Sequence, residues 1–337
     1  MTRLLIVSPG FHGYYTSIRR AFESLDYTVE TYCYDAATSS AERVWRKARH
    51  ELPAKLRGKD AHLSPQVVSQ RAASRVREVK PDIVLVIRGD VLTEDFWQAA
   101  QTSASHVAVW MYDEMRRTDF DPQLVGRYAR MATYSALDTQ ALVGQGFDAL
   151  HVPLGFDDTA AMSTTSAGRG VVSFIGAPLA KREDALQALM SAGVPVQAWG
   201  RGWSDHPYDR ARTWRLTSRG IPSGRDVPGT DALAIMRNSI ATLNIHGDQD
   251  GFTMRTFEAA GVGAVQLVDR VDVEEYYVPG EEVLVFEGHD ELVALARDVM
   301  ARPSSYAALR EQGRRRTLAE HTLRHRAEAL EHLWGSE

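Results

Sequence analysis

The chain of 337 residues has very little cysteine: one residue, Cys33, which excludes an internal disulfide and fits a reducing compartment. Cys33 lies in an apolar-rich strand-like run, where it reads as a small hydrophobe and not as a reactive thiol. No stretch approaches the roughly 18 apolar residues that span a bilayer. The opening run Leu4–Val7 is too short for a signal-peptide core, so a cytoplasmic location is expected. There is no excess of positive charge, since 39 Lys and Arg against 44 Asp and Glu leave a net charge of −5. Nucleic acid is therefore not an expected partner. The eleven histidines do not cluster at zinc spacing, and no solenoid or propeller period is visible.

What is present is a globular composition, 44% hydrophobic and 25% charged, in a chain long enough for two α/β domains. In the first half, short β-branched runs alternate with helical stretches, the pattern of a parallel sheet with crossover helices. Strands are expected over 3–8, 27–34, 82–87, 106–111, 131–134 and 150–153, with a helix over 14–25. Residues 157–169 turn to Ser, Thr, Ala, Gly and Asp without periodicity and read as a linker. A second set follows, with strands over 171–176, 194–199, 240–246, 264–268 and 282–286 and helices over 181–190, 231–237 and 252–260. Leu292, Leu295, Ala296 and Val299 mark an amphipathic helix, and residues 304–334 read as a helical tail. Leu323, Leu330, Leu333 and Trp334 give that tail more apolar surface than a free end needs. The expected domains are 1–156, carrying the returning helix 320–337, and 169–319. Open sheets of this kind bind ligands beyond the carboxyl ends of their strands.

The most informative stretch runs from Leu243 to Ala264 as strand, glycine-containing loop, helix and strand. It places the amides of Gly251, Phe252 and Thr253 at a helix N-terminus, where phosphate or another anion is favoured. Asp250 lies in the loop and Glu258 on the helix. A carboxylate can accept paired hydrogen bonds from vicinal hydroxyls, as in dinucleotide sites. An ordinary βαβ unit with a solvated Asp loop gives the same spacing. Asp248-Gln249-Asp250 also has the form of a metal-binding D-x-D.

Asp250-Gly251-Phe252 through Glu258-Ala259 resembles the E-x7-E element of retaining GT-B glycosyltransferases, with aspartate in place of the first glutamate. Leu243–His246, Met254-Arg255-Thr256-Phe257-Glu258-Ala259 and Leu267-Val268-Asp269-Arg270 are similar to motifs of the spore-maturation (CgeB-like) branch. So are Phe174-Ile175-Gly176 with Lys181-Arg182, Trp199–Trp203 and Tyr277–Glu282. The likeness covers about 170–300; in the first half only the loop Pro9–Gly13 and Trp110–Asp113 share it.

The resemblance implies two Rossmann-like domains facing across a cleft and a donor site in the second. The implied substrate is a nucleoside-diphosphate sugar, with no cofactor and no metal. Glu258 would bind ribose hydroxyls and Asp250 the transferred sugar. Lys181, Arg182, Arg255 and the Gly251–Thr253 amides would face the donor, with the base near Ile221–Gly224 and Gly224 as its contact. Gly10, Gly13, His12 and Asp113 are candidates in the first domain, His12 and Asp113 as catalytic groups. A hydroxyl acceptor is implied; it could be a protein, glycan, lipid or small molecule. Residues 41–80 carry eleven Lys and Arg against four acids and are a candidate contact for an anionic membrane or acceptor, or a solvated helix face. Two alternatives on the same architecture are a nucleotide-sugar epimerase or hydrolase and a non-catalytic nucleotide-sugar binder.

Overall fold

Uncharged runs of Val, Ile and Leu form the central strands of two parallel sheets, because strands covered by helices on both faces have no side left for water. The structure, a computed structural model, describes residues 1–10, 13–35, 64–215 and 217–335. His12 and residues 41–63 of the basic segment lie outside them. The chain divides into two units, Met1–Pro153 with Leu323–Glu337, and Leu154–Thr322.

The first unit holds β1 (Arg3–Ser8), β2 (Thr28–Cys33), β3 (Ile83–Ile87), β4 (His106–Met111), β5 (Arg130–Thr133) and β6 (Ala149–His151). They pair in the order β2-β1-β3-β4-β5-β6. Every pairing is parallel, with Leu5 opposite Val84 and Val84 opposite Val107. Helices α1 (Tyr14–Glu23), α2 (Pro65–Val79), α3 (Glu94–Ser103), α4 (Pro122–Val125) and α5 (Ala136–Gly144) supply the crossovers. The part of the basic segment that is described lies mostly on α2. That helix buries Val68, Ala72, Val76 and Val79, and its Arg75 pairs with Glu30 and Glu78.

The second unit holds β7 (Val172–Ile175), β8 (Val196–Trp199), β9 (Ser223–Gly224), β10 (Ala241–Asn244), β11 (Gln266–Val268) and β12 (Leu284–Val285). Their order is β12-β11-β10-β7-β8-β9, again all parallel. Helices α6 (Ala180–Ser191), α7 (Pro207–Arg212), α8 (Gly229–Asn238), α9 (Met254–Gly261), α10 (His289–Ala301) and α11 (Ala307–Glu320) connect them. A core of Phe174, Leu186, Leu189, Leu243, Leu267 and Leu292 fills this unit.

Two expectations change. Residues 157–169 are counted within the second unit, where the Ser163 amide donates to the Thr230 carbonyl and Asn238 Nδ2 to that of Thr165. Asn and backbone groups capture this polar stretch even though it has no periodicity of its own. The domain boundaries accordingly fall at 153/154 and 322/323 instead of 156, 169 and 319. The helical tail comes in two helices: α11 ends at Glu320, Phe156 donates its amide to the His321 carbonyl, and a bridge pairs Phe156 with Thr322. The chain then starts α12 (Leu323–Glu331) as part of the first unit. There the Trp334 ring packs 5.9 Å from Phe22, and Trp334 Nε1 donates to the Tyr27 hydroxyl.

Candidate functional site

Read from β9, the second sheet runs in the doubly wound order 3-2-1-4-5-6, and its strand sequence reverses between β7 and β10. Loops leaving the carboxyl ends of such neighbours diverge to opposite faces and leave a crevice suited to a ligand. The chain after β7 reaches Lys181 and Arg182 in the first turn of α6, and the chain after β10 carries His246 and the loop to Thr253.

Arg182 lies over the Phe174 ring at 5.3 Å. Its Nε donates to the Ile245 carbonyl at 2.8 Å and its Nη1 to that of Ala177 at 2.9 Å. It thus ties the two diverging loops together. Burial draws its pKa below the usual value for arginine. The sequence reading of Arg182 as a free diphosphate contact is narrowed accordingly, since two of its donors already hold carbonyls.

Asp269, just past β11, is the centre of a buried polar chain. Lys181 Nζ donates to Asp269 Oδ2 at 2.6 Å, and His246 Nδ1 contacts Oδ1 at 2.8 Å. The His246 amide reaches both oxygens, at 3.0 and 3.1 Å. On its other side His246 Nε2 lies 3.5 Å from Thr256 Oγ1. Thr256 Oγ1 accepts from Asn244 Nδ2, which also donates to Gln266 Oε1. Burial lowers the His246 pKa and outweighs the hydrogen bond to Asp269 that opposes it. For Asp269 burial acts upward, but hydrogen bonds from His246 and Lys181 prevail and hold the carboxyl below its ordinary range. The neutral imidazole therefore carries its proton on Nδ1, facing the carboxylate.

The loop after His246 is anchored by Phe252, which is buried. Its ring stands edge-on to His246 at 5.0 Å and to Tyr276 at 5.4 Å, and Arg270 covers it at 4.2 Å. Arg270 also donates to the Gln249 carbonyl and lies within electrostatic reach of the half-buried Asp250. Thr253 is the extended N-cap of α9, so the helix opens at Met254. The amides at the amino end of the helix are thus those of Thr253, Met254 and Arg255, and Gly251 and Phe252 belong to the loop that leads into it. Glu258 is no solvated helix glutamate: its side chain is 12% exposed, and Oε2 accepts from Arg255 Nη1 at 2.6 Å. Gly224, in β9, lies flat against Trp199, where a Cβ would come within 2.4 Å of the indole. Its glycine is required by packing.

The first unit holds the remaining candidates. The Gly10 amide donates to Asp35 Oδ1 at 2.6 Å. Gly13 opens α1 at φ 74°, a left-handed conformation that favours glycine. Asp113 follows β4 and receives the Glu114 amide, with Arg117 Nε at 3.7 Å. Cys33 is half-buried, and burial with the nearby Asp35 charge pushes its thiol up to about 11, which removes the thiolate from neutral pH. Among the described residues, no three His, Cys, Asp or Glu side chains are grouped to hold a metal ion.

Lys181, Arg182, Asp250, Arg255 and Glu258 are thus placed on the carboxyl-end loops, or on the helices that follow them, at and beside one switch point. Gly10, Gly13 and Asp113 belong to the other unit. The sequence reading quoted His246, Asp269 and Arg270 only as pieces of motifs and gave them no role. It missed Glu114, whose side chain is 1% exposed and paired with Arg116. The available signal was position, since His246 ends one expected strand and Asp269 falls just past the end of another.

Residues 181–332 match the family model described as "Glycosyl transferase-like". No curated protein sequence matches the chain. Among solved structures, the fold is similar to Anabaena Alr3699/HepE in complex with UDP-glucose, with a TM-score of 0.64 at 10% identity over 100% of both chains. It is also similar to sucrose-phosphate synthase from Thermosynechococcus elongatus, with a TM-score of 0.64 at 12% identity over 99% of this chain and 98% of that one. AviGT4, a glycosyltransferase involved in avilamycin A biosynthesis, gives 0.62 at 13% identity over 99% and 97%. The chain has the two-domain GT-B fold, and the match to the glycosyl transferase-like model lies in its second half.

Proposed function

We propose that this protein transfers a sugar from a nucleoside-diphosphate sugar to an acceptor hydroxyl, with retention of anomeric configuration and without a divalent metal. The observation that carries the reading is the switch point between β7 and β10. It gathers Lys181, the amino end of α9 and Glu258 inside the segment that matches the glycosyl transferase-like model. When the bond from the sugar to the diphosphate breaks, negative charge builds on the leaving oxygens. A lysine ammonium and the amino end of a helix, with its dipole, stabilise that charge. Glu258 would accept the ribose hydroxyls, in exchange for part of its contact with Arg255, and Asp250 would meet the transferred sugar. Because the similar fold of HepE holds UDP-glucose, UDP-sugars are the first donors to test.

The test is product analysis after incubating the folded protein with UDP-, ADP-, GDP- and dTDP-sugars and an acceptor library, with and without EDTA. A glycosylated acceptor of unchanged anomeric configuration, formed equally in EDTA, is the expected outcome. Free sugar or an epimer as the sole product would assign the site to a hydrolase or epimerase instead. Tight donor binding with no product would make it a binding protein.

A further inference from the structure

Asp269 joins three elements through one carboxylate whose side chain is only 3% exposed. Oδ2 holds the Lys181 ammonium of α6, and Oδ1 holds the His246 imidazole just past β10. Beyond His246 the chain of hydrogen bonds continues to Thr256 in the first turn of α9, at the positive end of the helix dipole. The directions agree along the chain. Asn244 donates to Thr256, the Thr256 hydroxyl can donate to His246 Nε2, and His246 Nδ1–H donates to Asp269. The two cationic features suited to a diphosphate, the Lys181 ammonium and the amino end of α9, therefore share one buried anchor. Lys181 itself is 58% exposed. Without the anchor its four-carbon stem would sample many rotamers, and each would have to be frozen when an anion binds.

We infer that Asp269 is a positioning residue for the diphosphate of the proposed donor, holding Lys181 and the first turn of α9 in one frame. This rests on the nucleotide-sugar reading above. Asp269→Asn separates positioning from packing. With its carbonyl oxygen kept toward His246, the amide still accepts from the imidazole and the His246 backbone. Its NH2 then faces Lys181, donor against donor, so the anchor on the lysine alone is lost.

The experiment measures affinity for UDP, ADP, GDP and dTDP by calorimetry, and for the matching nucleosides by ligand-detected NMR, with each protein shown to be folded. Asp269→Asn and Lys181→Ala should each weaken the diphosphate about tenfold, the scale of one charge-assisted hydrogen bond, and leave the nucleoside unchanged. The double variant should be no weaker than either single one, because the two changes remove the same interaction. Equal losses for nucleoside and diphosphate in Asp269→Asn would overturn the inference, as would a double variant whose loss is the product of the two. If Asp269→Asn does not fold, Lys181→Ala still decides: unchanged diphosphate affinity there refutes it. A wild type that binds none of the four diphosphates overturns the nucleotide-sugar reading and the inference with it. Binding in the wild type without the expected variant pattern removes the inference alone.

Discussion

At the scale of single residues, Glu258 and His246 make opposite uses of burial. Glu258 is held by Arg255 but keeps access to solvent, so it can exchange that contact for a ligand. Glu258→Gln should reduce nucleotide affinity about ten- to a hundredfold, since it replaces one acceptor oxygen of a charged group with a donor. A 2′,3′-dideoxynucleotide should bind wild type and variant alike in calorimetry, and equal affinity for the full nucleotide would refute the ribose role. The urea midpoint should hardly move, because an i,i+3 pair contributes only about 0.2–0.5 kcal/mol. His246, by contrast, is buried and neutral, with Asp269, Lys181, Arg182, Arg270 and Thr256 around it. Its folded pKa lies below the unfolded value of about 6.5, so the unfolded chain takes up the proton first. Stability should therefore fall as pH drops below that value and go on falling until the folded imidazole protonates. Asp269, whose folded pKa is depressed, adds a further loss only in the carboxylate range. Urea midpoints at pH 7.5 and 5.5 should differ more in wild type than in His246→Gln; the same pH slope in both would show that His246 does not cause it.

At the scale of elements, the sequence marked which segments are strands and helices, while their ends were set by capping and contact. Helix α1 stops at Glu23, two residues before the expected end, and the chain then turns through Asp26 at φ 64°. Helix α9 starts two residues after its apolar pattern does, because Phe252 is held in the loop by His246, Tyr276 and Arg270. The returning helix α12 is fixed to the first unit by Trp334, 8% exposed, and by Arg130 Nη1 donating to the Leu333 carbonyl. Trp334→Ala should cost about 3–5 kcal/mol, the usual loss for truncating a buried tryptophan. Trp334→Phe should cost less, because the ring contact with Phe22 survives while the hydrogen bond to Tyr27 is lost. Denaturant unfolding checks both, and a Trp334→Ala protein of wild-type stability would show that α12 does not need this anchor.

At the scale of the whole molecule, two units with separate cores need not unfold as one. Scanning calorimetry should show two transitions, with Trp334→Ala lowering that of the first unit. A nucleotide bound at the β7/β10 switch point should raise only the other. At 100 times its dissociation constant the expected gain is about 2.7 kcal/mol. A ligand that raised the transition sensitive to Trp334→Ala would move the donor site out of the second unit. Among the described residues, no helix is long and apolar enough to cross a membrane.

The sequence by itself determined the α/β class, nearly every described strand and the return of the tail, and it singled out the stretch 243–264 as a candidate site. These follow from period and composition, which are local properties of the chain. Only the tertiary structure decided which of those residues meet. His246 and Asp269 are 23 positions apart, and Lys181 and Asp269 are 88 apart. Parallel pairing in the order β11-β10-β7 brings them to one end of one sheet. Sequence spacing cannot express that adjacency, because in a parallel sheet neighbours are chosen by crossover connections and not by distance along the chain.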